Sequence, residues 1–147
     1  MIETVHLPEL VAIGLVVEGR WDDLPTSVPA GWRRLFELQT GATGFLEASL
    51  ERRDGVYREL LGYLAARATE CPDGLERHII PAGAYLRLIH DGPLADIATA
   101  YDALYVHAAA HGIRTTDFKL DFGYLPGLPP GRHELHVAIA AAPVLLG

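Results

Sequence analysis

The chain has a single cysteine in 147 residues. Cys71 has no partner for an internal disulfide, and a thiolate zinc site would need companions that are absent, which fits a reducing compartment. Positive charge is scarce as well. Twelve basic side chains stand against nineteen acidic ones, for a net charge of −7, and no five-residue Lys/Arg cluster interrupts this balance. A phosphate backbone is repelled on average, so no direct nucleic-acid binding is expected. No stretch approaches the about 18 uncharged apolar residues of a spanning helix. The N-terminus lacks a basic segment followed by an apolar core, so no secretory signal is read. These absences predict a soluble cytoplasmic protein without membrane contact. Catalytic signatures are missing too: there is no Gly-x-Ser-x-Gly elbow and no glycine-rich phosphate cradle, and Ser27, Ser49 and Cys71 lack the neighbours of an activated nucleophile. No cofactor is expected.

What the sequence does contain is 50% hydrophobic residues, enough at this length for one core and one domain over residues 1–147. It also contains an echo. "LPELVAIGLVVEGR" at 7–20 and "IPAGAYLRLIHDGP" at 80–93 align without a gap at an offset of 73, placing Leu7 on Ile80, Pro8 on Pro81, Leu15 on Leu88, Glu18 on Asp91 and Gly19 on Gly92. Further along, Asp23 falls on Asp96 and Leu24 on Ile97.

Local patterns repeat with the echo. Residues 4–18 read as a strand. A helix is expected over roughly 28–39, with Ser27 as cap, Pro29 in the first turn and Gly41 as stop. Asp54-Gly55 between two β-rich runs signals a hairpin, although "VYRELLGYLAAR" is also helix-competent by propensity. "TECPDG" at 69–74 joins the halves, about 1–68 and 74–147. A strand follows over about 76–90. The stripe Leu94, Ile97, Ala98, Tyr101, Leu104, Tyr105 and Ala108, opened by Pro93 and closed by Gly112, defines a second helix. "TTDFKLDFGYL" and "HELHVAIAAAPV" alternate as strands around "PGLPPG", and the apolar tract 137–146 suits a buried strand. Each half therefore reads strand, helix, strand, strand. The economical fold is α+β: two tandem βαββ modules forming one antiparallel sheet, with two helices on one side and a central ligand cleft between them.

Candidate site residues follow from that geometry. Trp32, Phe45, Tyr85, Tyr105, Phe118, Phe122 and Tyr124 offer flat apolar surface to the cleft, while Tyr101 is assigned to packing. Alternation along "TTDFKLDFGYL" puts Phe118, Leu120, Phe122 and Tyr124 on one face and Lys119, Asp121 and Gly123 on the other. Either the aromatic face lines the cleft and Asp121 is a solvated acid, or a bulge near Gly123 turns Asp121 inward. Inward placement would raise its pKa by desolvation unless a cation restored its charge. His107 and His111 sit four apart on a helix without a third ligand, so no metal is expected and His107 is read as a pocket-edge imidazole. His133 and His136 point to opposite strand faces, and His90 serves a turn.

The stretch "IPAGAYLRLIHDGPLADIATAYDALYVHAAAHG" resembles the GyrI-like effector-binding domains, which occur fused to AraC- and MerR-type regulators and as free-standing proteins. The residues that carry the resemblance are Ile80 to Gly83, Tyr85, His90 to Pro93, Tyr101, Leu104-Tyr105 and Gly112. "GVYRELLGY" and "RTTDFKLDFGY" look like the integron-associated, stand-alone branch. This resemblance implies paired modules around an aromatic-lined ligand cleft. It also implies a buried glutamate in a Glu-x-Tyr strand motif that recognises cationic ligands or, in a hydrolase branch, assists ring opening of strained cyclopropane compounds. The chain departs from that motif. With Tyr124 as the motif tyrosine, Phe122 occupies the glutamate position; with a one-residue slip, Asp121 is the surviving carboxylate. His107 stands where many members have tryptophan. The expected partner is a hydrophobic or cationic small molecule, an effector or drug, held for sensing or sequestration, with a separate transcription regulator as a candidate second partner. Strained-ring hydrolysis and protein binding of the gyrase-inhibitor type are the alternatives.

Overall fold

The computed structural model describes residues 1–141. Its strands are β1 (Ile2–Leu7), β2 (Leu10–Arg20), β3 (Phe45–Arg53), β4 (Val56–Ala65), β5 (Glu76–Ile80), β6 (Gly83–Gly92), β7 (Thr115–Tyr124) and β8 (Gly131–Ile139). Its helices are α1 (Leu24–Glu37) and α2 (Ile97–Ala110), each entered through a single 3-10 turn. All eight strands form one antiparallel sheet in the order β1-β6-β8-β7-β3-β4-β2-β5. The α+β architecture read from the echo is the one found. Both helices, at an offset of 73, span equivalent residues.

Two local expectations are corrected. The strand expected over 4–18 is broken after Leu7, and its counterpart is broken after Ile80. Pro8 and Pro81 have no N–H to give a ladder, so each long strand kinks there. The register nevertheless carries through both breaks: Leu7 faces Gly83 and Leu10 faces Ile80. The first helix begins at Leu24 rather than 28, because Pro25 occupies the first turn, where its missing N–H has no intrahelical acceptor. Pro29 lies inside the helix, and Ser27 Oγ donates to the Asp23 carbonyl at 3.1 Å instead of capping. The Asp54-Gly55 turn forms as expected, with φ of 52° and 77° and Arg53 opposite Val56. Of the tract 137–146, β8 contains the part up to Ile139, and residues from 142 onward lie outside the described part.

The kinks dictate the shape. Leu7 and Leu10 are three Cα steps apart, at most about 11 Å, yet β1 and β2 stand six places apart in the sheet, about 29 Å if it were flat. The sheet therefore curls until its two ends meet at the prolines. The enclosed face holds a core of Ala12, Leu46, Ala48, Leu60, Ile80 and Leu120, with Leu7 and Leu10 packed against it. The outer face carries the helices: α1 lies over β2 and β4, α2 over β6 and β8. β3 and β7, the strands of the seam, run between them.

A pseudo-twofold axis crosses that seam. Val17 pairs with Glu59 and its counterpart His90 pairs with His133, so the offset of 73 on the first strands becomes 74 on the hairpin strands. At an offset of 74 Glu47 corresponds to Asp121, and these two residues also face each other across the β3·β7 ladder. The axis thus passes between two carboxylates. Beside them Gly123, at φ 119°, forms a bulge: Leu46 faces Phe122 and Phe45 faces Tyr124. That extra residue brings Tyr124 to the same face as Asp121.

A Cβ at position 123 would stand 2.3 Å from the Arg132 carbonyl, whereas at Gly74, with φ 84°, it would meet nothing within 4 Å. Gly123→Ala should therefore lower the unfolding free energy by about 3 kcal/mol and Gly74→Ala by about 1 kcal/mol. Urea denaturation checks this, and equal losses would contradict the tightly packed bulge.

Candidate functional site

Across β4, β3, β7 and β8, the helix-facing positions form rows. One row is Glu59, Ser49, Lys119 and Val137; the next is Leu61, Glu47, Asp121 and Leu135. Cross-strand neighbours in such rows have Cβ atoms about 5 Å apart. Three carboxylates and one ammonium therefore share the seam. Asp121 is 2% exposed and Glu59 7% exposed. Tyr124 donates its phenol proton to Asp121 Oδ2 at 2.5 Å and lies 3.4 Å from Glu47 Oε2. Ser49 donates to Glu59, with contacts of 3.0 and 2.9 Å to the two oxygens.

Burial of like charges sets the electrostatics. Desolvation, followed by the neighbouring Asp121 and Glu59, holds the Glu47 carboxyl well above the usual carboxylate range. Asp121 is pushed up to about 7, first by desolvation and then by Glu59, against the lowering effect of Tyr124 and Lys119. Glu59 is likewise pushed up to about 7 by burial, opposed by Ser49 and Lys119. Tyr124 and Tyr101 are raised well above the ordinary phenol range by burial and the adjoining carboxylates. Near neutral pH the seam holds protons that a cation could replace. Among the described residues, no group of three His, Cys, Asp or Glu side chains is placed to hold a metal ion.

Aromatic rings stand beside the acids. Trp32, 1% exposed, stacks on Tyr124 at 4.5 Å and on Phe36 at 5.3 Å, and meets Phe45 edge-on at 6.2 Å. His133 packs against Tyr124 at 4.9 Å. A groove of about 480 Å³ opens next to this cluster, lined by Leu35, Phe36, Phe45, Leu125, Pro126 and residues 39–43. Several buried polar atoms at the seam have no hydrogen-bond partner among the described residues: Trp32 Nε1, Glu47 Oε1, the Tyr101 hydroxyl and both His133 ring nitrogens. Buried polar groups are ordinarily satisfied, so these atoms retain unused hydrogen-bonding capacity.

The residues singled out in the sequence divide into three groups. Trp32, Phe45, Tyr124 and Asp121 gather on the helix side, with Tyr105 of α2 reaching the same seam through Lys119. The alternative in which Asp121 is a solvated acid is overturned by its burial. Tyr85, Phe118 and Phe122 lie on the opposite face, where Tyr85 is 6.4 Å from Phe118 and 5.8 Å from His136, and Phe122 is 5.5 Å from His136. A separate hollow of about 270 Å³ touches Tyr85 and Phe118 there. His107 sits at the end of α2, its ring stacked on exposed His111 at 4.1 Å. Glu47 and Glu59 were not singled out; Lys119 was placed only on the strand face of Asp121, and Tyr101 was assigned to packing, where it lies in the core cluster under α2. The signal for Glu47 was an acid between Phe45 and Ser49 on one strand face.

No protein-family model matches the sequence, and no curated protein matches it significantly. Solved structures do match the fold. SAV2435 bound to tetraphenylphosphonium superposes with a TM-score of 0.74 at 10% identity, covering 95% of this chain and 94% of that one. Integron cassette protein VCH_CASS2, from the mobile metagenome of Vibrio cholerae, has a TM-score of 0.69 at 10% identity, covering 95% of both chains. A hydrolase encoded by lin2189 from Listeria innocua has a TM-score of 0.60 at 10% identity, covering 95% of this chain and 91% of the other. The paired-module fold implied by the GyrI-like resemblance is shared with these proteins.

The raised carboxylates make a stability prediction. In the unfolded chain Asp121 and Glu59 titrate near 4; folded, they keep protons up to about 7. Their contribution to stability is complete below the unfolded values and is lost as pH rises through about 7. Between about pH 5 and pH 8, the Tm of the wild-type protein should fall several degrees relative to Asp121→Asn/Glu59→Gln. Parallel Tm profiles would contradict the buried, protonated state.

Proposed function

We propose that the chain binds a hydrophobic, cationic small molecule on the helix side of its seam. The observation that carries this reading is the set of three carboxylates, buried Glu59 and Asp121 and half-buried Glu47, sharing a single lysine beside aromatic rings. Burying uncompensated like charges is costly, so the ligand-free protein holds protons there, and a cation is the species that best replaces them. Trp32, Phe45, Tyr105 and Tyr124 would supply apolar and cation–π contact, and Asp121 with Glu47 the counter-charge. The groove beside Phe36 and Phe45 would admit the apolar body of the ligand. The tetraphenylphosphonium bound by the structural neighbour has this chemistry. Capture would serve sensing or sequestration, with a separate regulator reading the occupied state. Tyr85, Phe118, Phe122 and His107 lie away from the acids and are left out of this site.

Hydrolysis is the second reading, favoured by the hydrolase among the structural neighbours and by carboxylates that titrate near neutrality. The two readings separate in one experiment. Titration with tetraphenylphosphonium should quench tryptophan fluorescence saturably and leave the compound's mass unchanged. Glu47→Gln/Asp121→Asn should weaken binding by about 10-fold or more, the scale of one lost buried charge contact. A silent titration of the wild-type protein would overturn capture, while consumption of a cyclopropane-containing substrate would establish the hydrolase. Wild-type affinity should rise with pH up to about 7, by as much as ~10-fold per unit for each proton released. An affinity independent of pH would exclude the acids from the contact.

A further inference from the structure

Lys119 is the only lysine in the chain. Of all the surface a lone lysine might occupy, it stands on β7 in the seam, opposite Ser49 and one row from the Glu47–Asp121 pair. Its ammonium lies 5.4 Å from the ring centroid of Tyr101 and 5.8 Å from that of Tyr105. Both distances are within the range of a cation–π contact. Among the described residues it forms no ion pair, despite three carboxylates on neighbouring positions. The Tyr101 hydroxyl, buried and unpartnered, is not what it binds. The ammonium therefore takes up the environment that a ligand cation would seek: ring faces on one side, acids on the other.

We infer that Lys119 is a tethered stand-in for the ligand's cation, and that binding displaces its ammonium from the rings of Tyr101 and Tyr105. The inference rests on the proposed capture of cations at this seam. It gives the lysine a specificity role. Lys119 is half-buried, and its flexible four-carbon stem lets the head swing out to water while the tyrosines and acids stay in place. A ligand must then outcompete an intramolecular cation already present at high effective concentration, so weakly bound cations and neutral aromatics are rejected. Arginine, the other basic residue of this chain, would hold the rings with a planar, stacking head and release them less readily.

The single lysine makes the test clean. With isotopically labelled lysine, the side-chain methylene next to the ammonium gives one NMR signal, which in the ligand-free protein should be shifted upfield by the tyrosine rings. Saturating tetraphenylphosphonium should return it toward the value of free lysine. In parallel, Lys119→Met and Lys119→Gln should bind tetraphenylphosphonium about 10-fold more tightly than the wild-type protein, and Lys119→Arg should show no gain. A lysine signal unmoved at saturation, or Lys119→Met and Lys119→Gln binding no more tightly than wild type, would overturn the inference and leave cation capture standing. Absence of binding by every variant and by the wild-type protein would overturn both.

Discussion

Two carboxylates face each other across a symmetry axis in the interior of this protein, and that pairing constrains most of what surrounds it. A duplicated module whose copies join edge to edge must bring some position into contact with its own equivalent. Here the position is Glu47 in one copy and Asp121 in the other. Like charges at that separation in a buried site do not both ionise without compensation. The structure answers with a phenol donated by Tyr124, a nearby ammonium, and retained protons. Each of these is exchangeable, which gives a structural element a binding chemistry.

The rest of the fold encloses the pair, with Asp121 buried and Glu47 half-buried. Pro8 and Pro81 break the chain between β1 and β2 and between β5 and β6, the open sheet curls, and its enclosed face fills with Leu46, Leu60, Leu120 and their neighbours. Its buried polar side chain, His136, is partnered by the Leu120 carbonyl. The other face must accommodate helices whose axes cover the outer strands and leave β3 and β7 between them. Its two clusters, around Trp32 and Leu61 under α1 and around Tyr101 and Leu135 under α2, flank the acids with apolar walls. Side chains from both helices close over the charged strip between them: Trp32 of α1 on Tyr124, and Tyr101 and Tyr105 of α2 beside Lys119.

Much of this was legible in the sequence. The gapless echo, the Asp54-Gly55 turn and the Pro93-to-Gly112 helix each rest on local chemistry that tertiary context did not override. Asp121 was legible as a carboxylate with two readings, and burial decides between them. Glu47 was not. Its relation to Asp121 is an offset of 74, one more than the echo, because a residue is gained beyond the helices. The bulge at Gly123 hid the second relation, since strict alternation places Tyr124 and Asp121 on opposite faces. The start of α1 was misjudged for a related reason: two prolines four residues apart both suit a first turn, and only the echo of Leu24 on Ile97 distinguished them. Aromatic content alone overestimated the site, gathering Tyr85, Phe118 and Phe122 with residues from which the sheet separates them.

The proposed exchange of seam protons for a cation is directly measurable. Calorimetry of tetraphenylphosphonium binding near pH 7, repeated in buffers of different ionisation enthalpy, counts protons directly. Release of about one proton for each cation bound is expected. Binding without proton release, or with proton uptake, would contradict it.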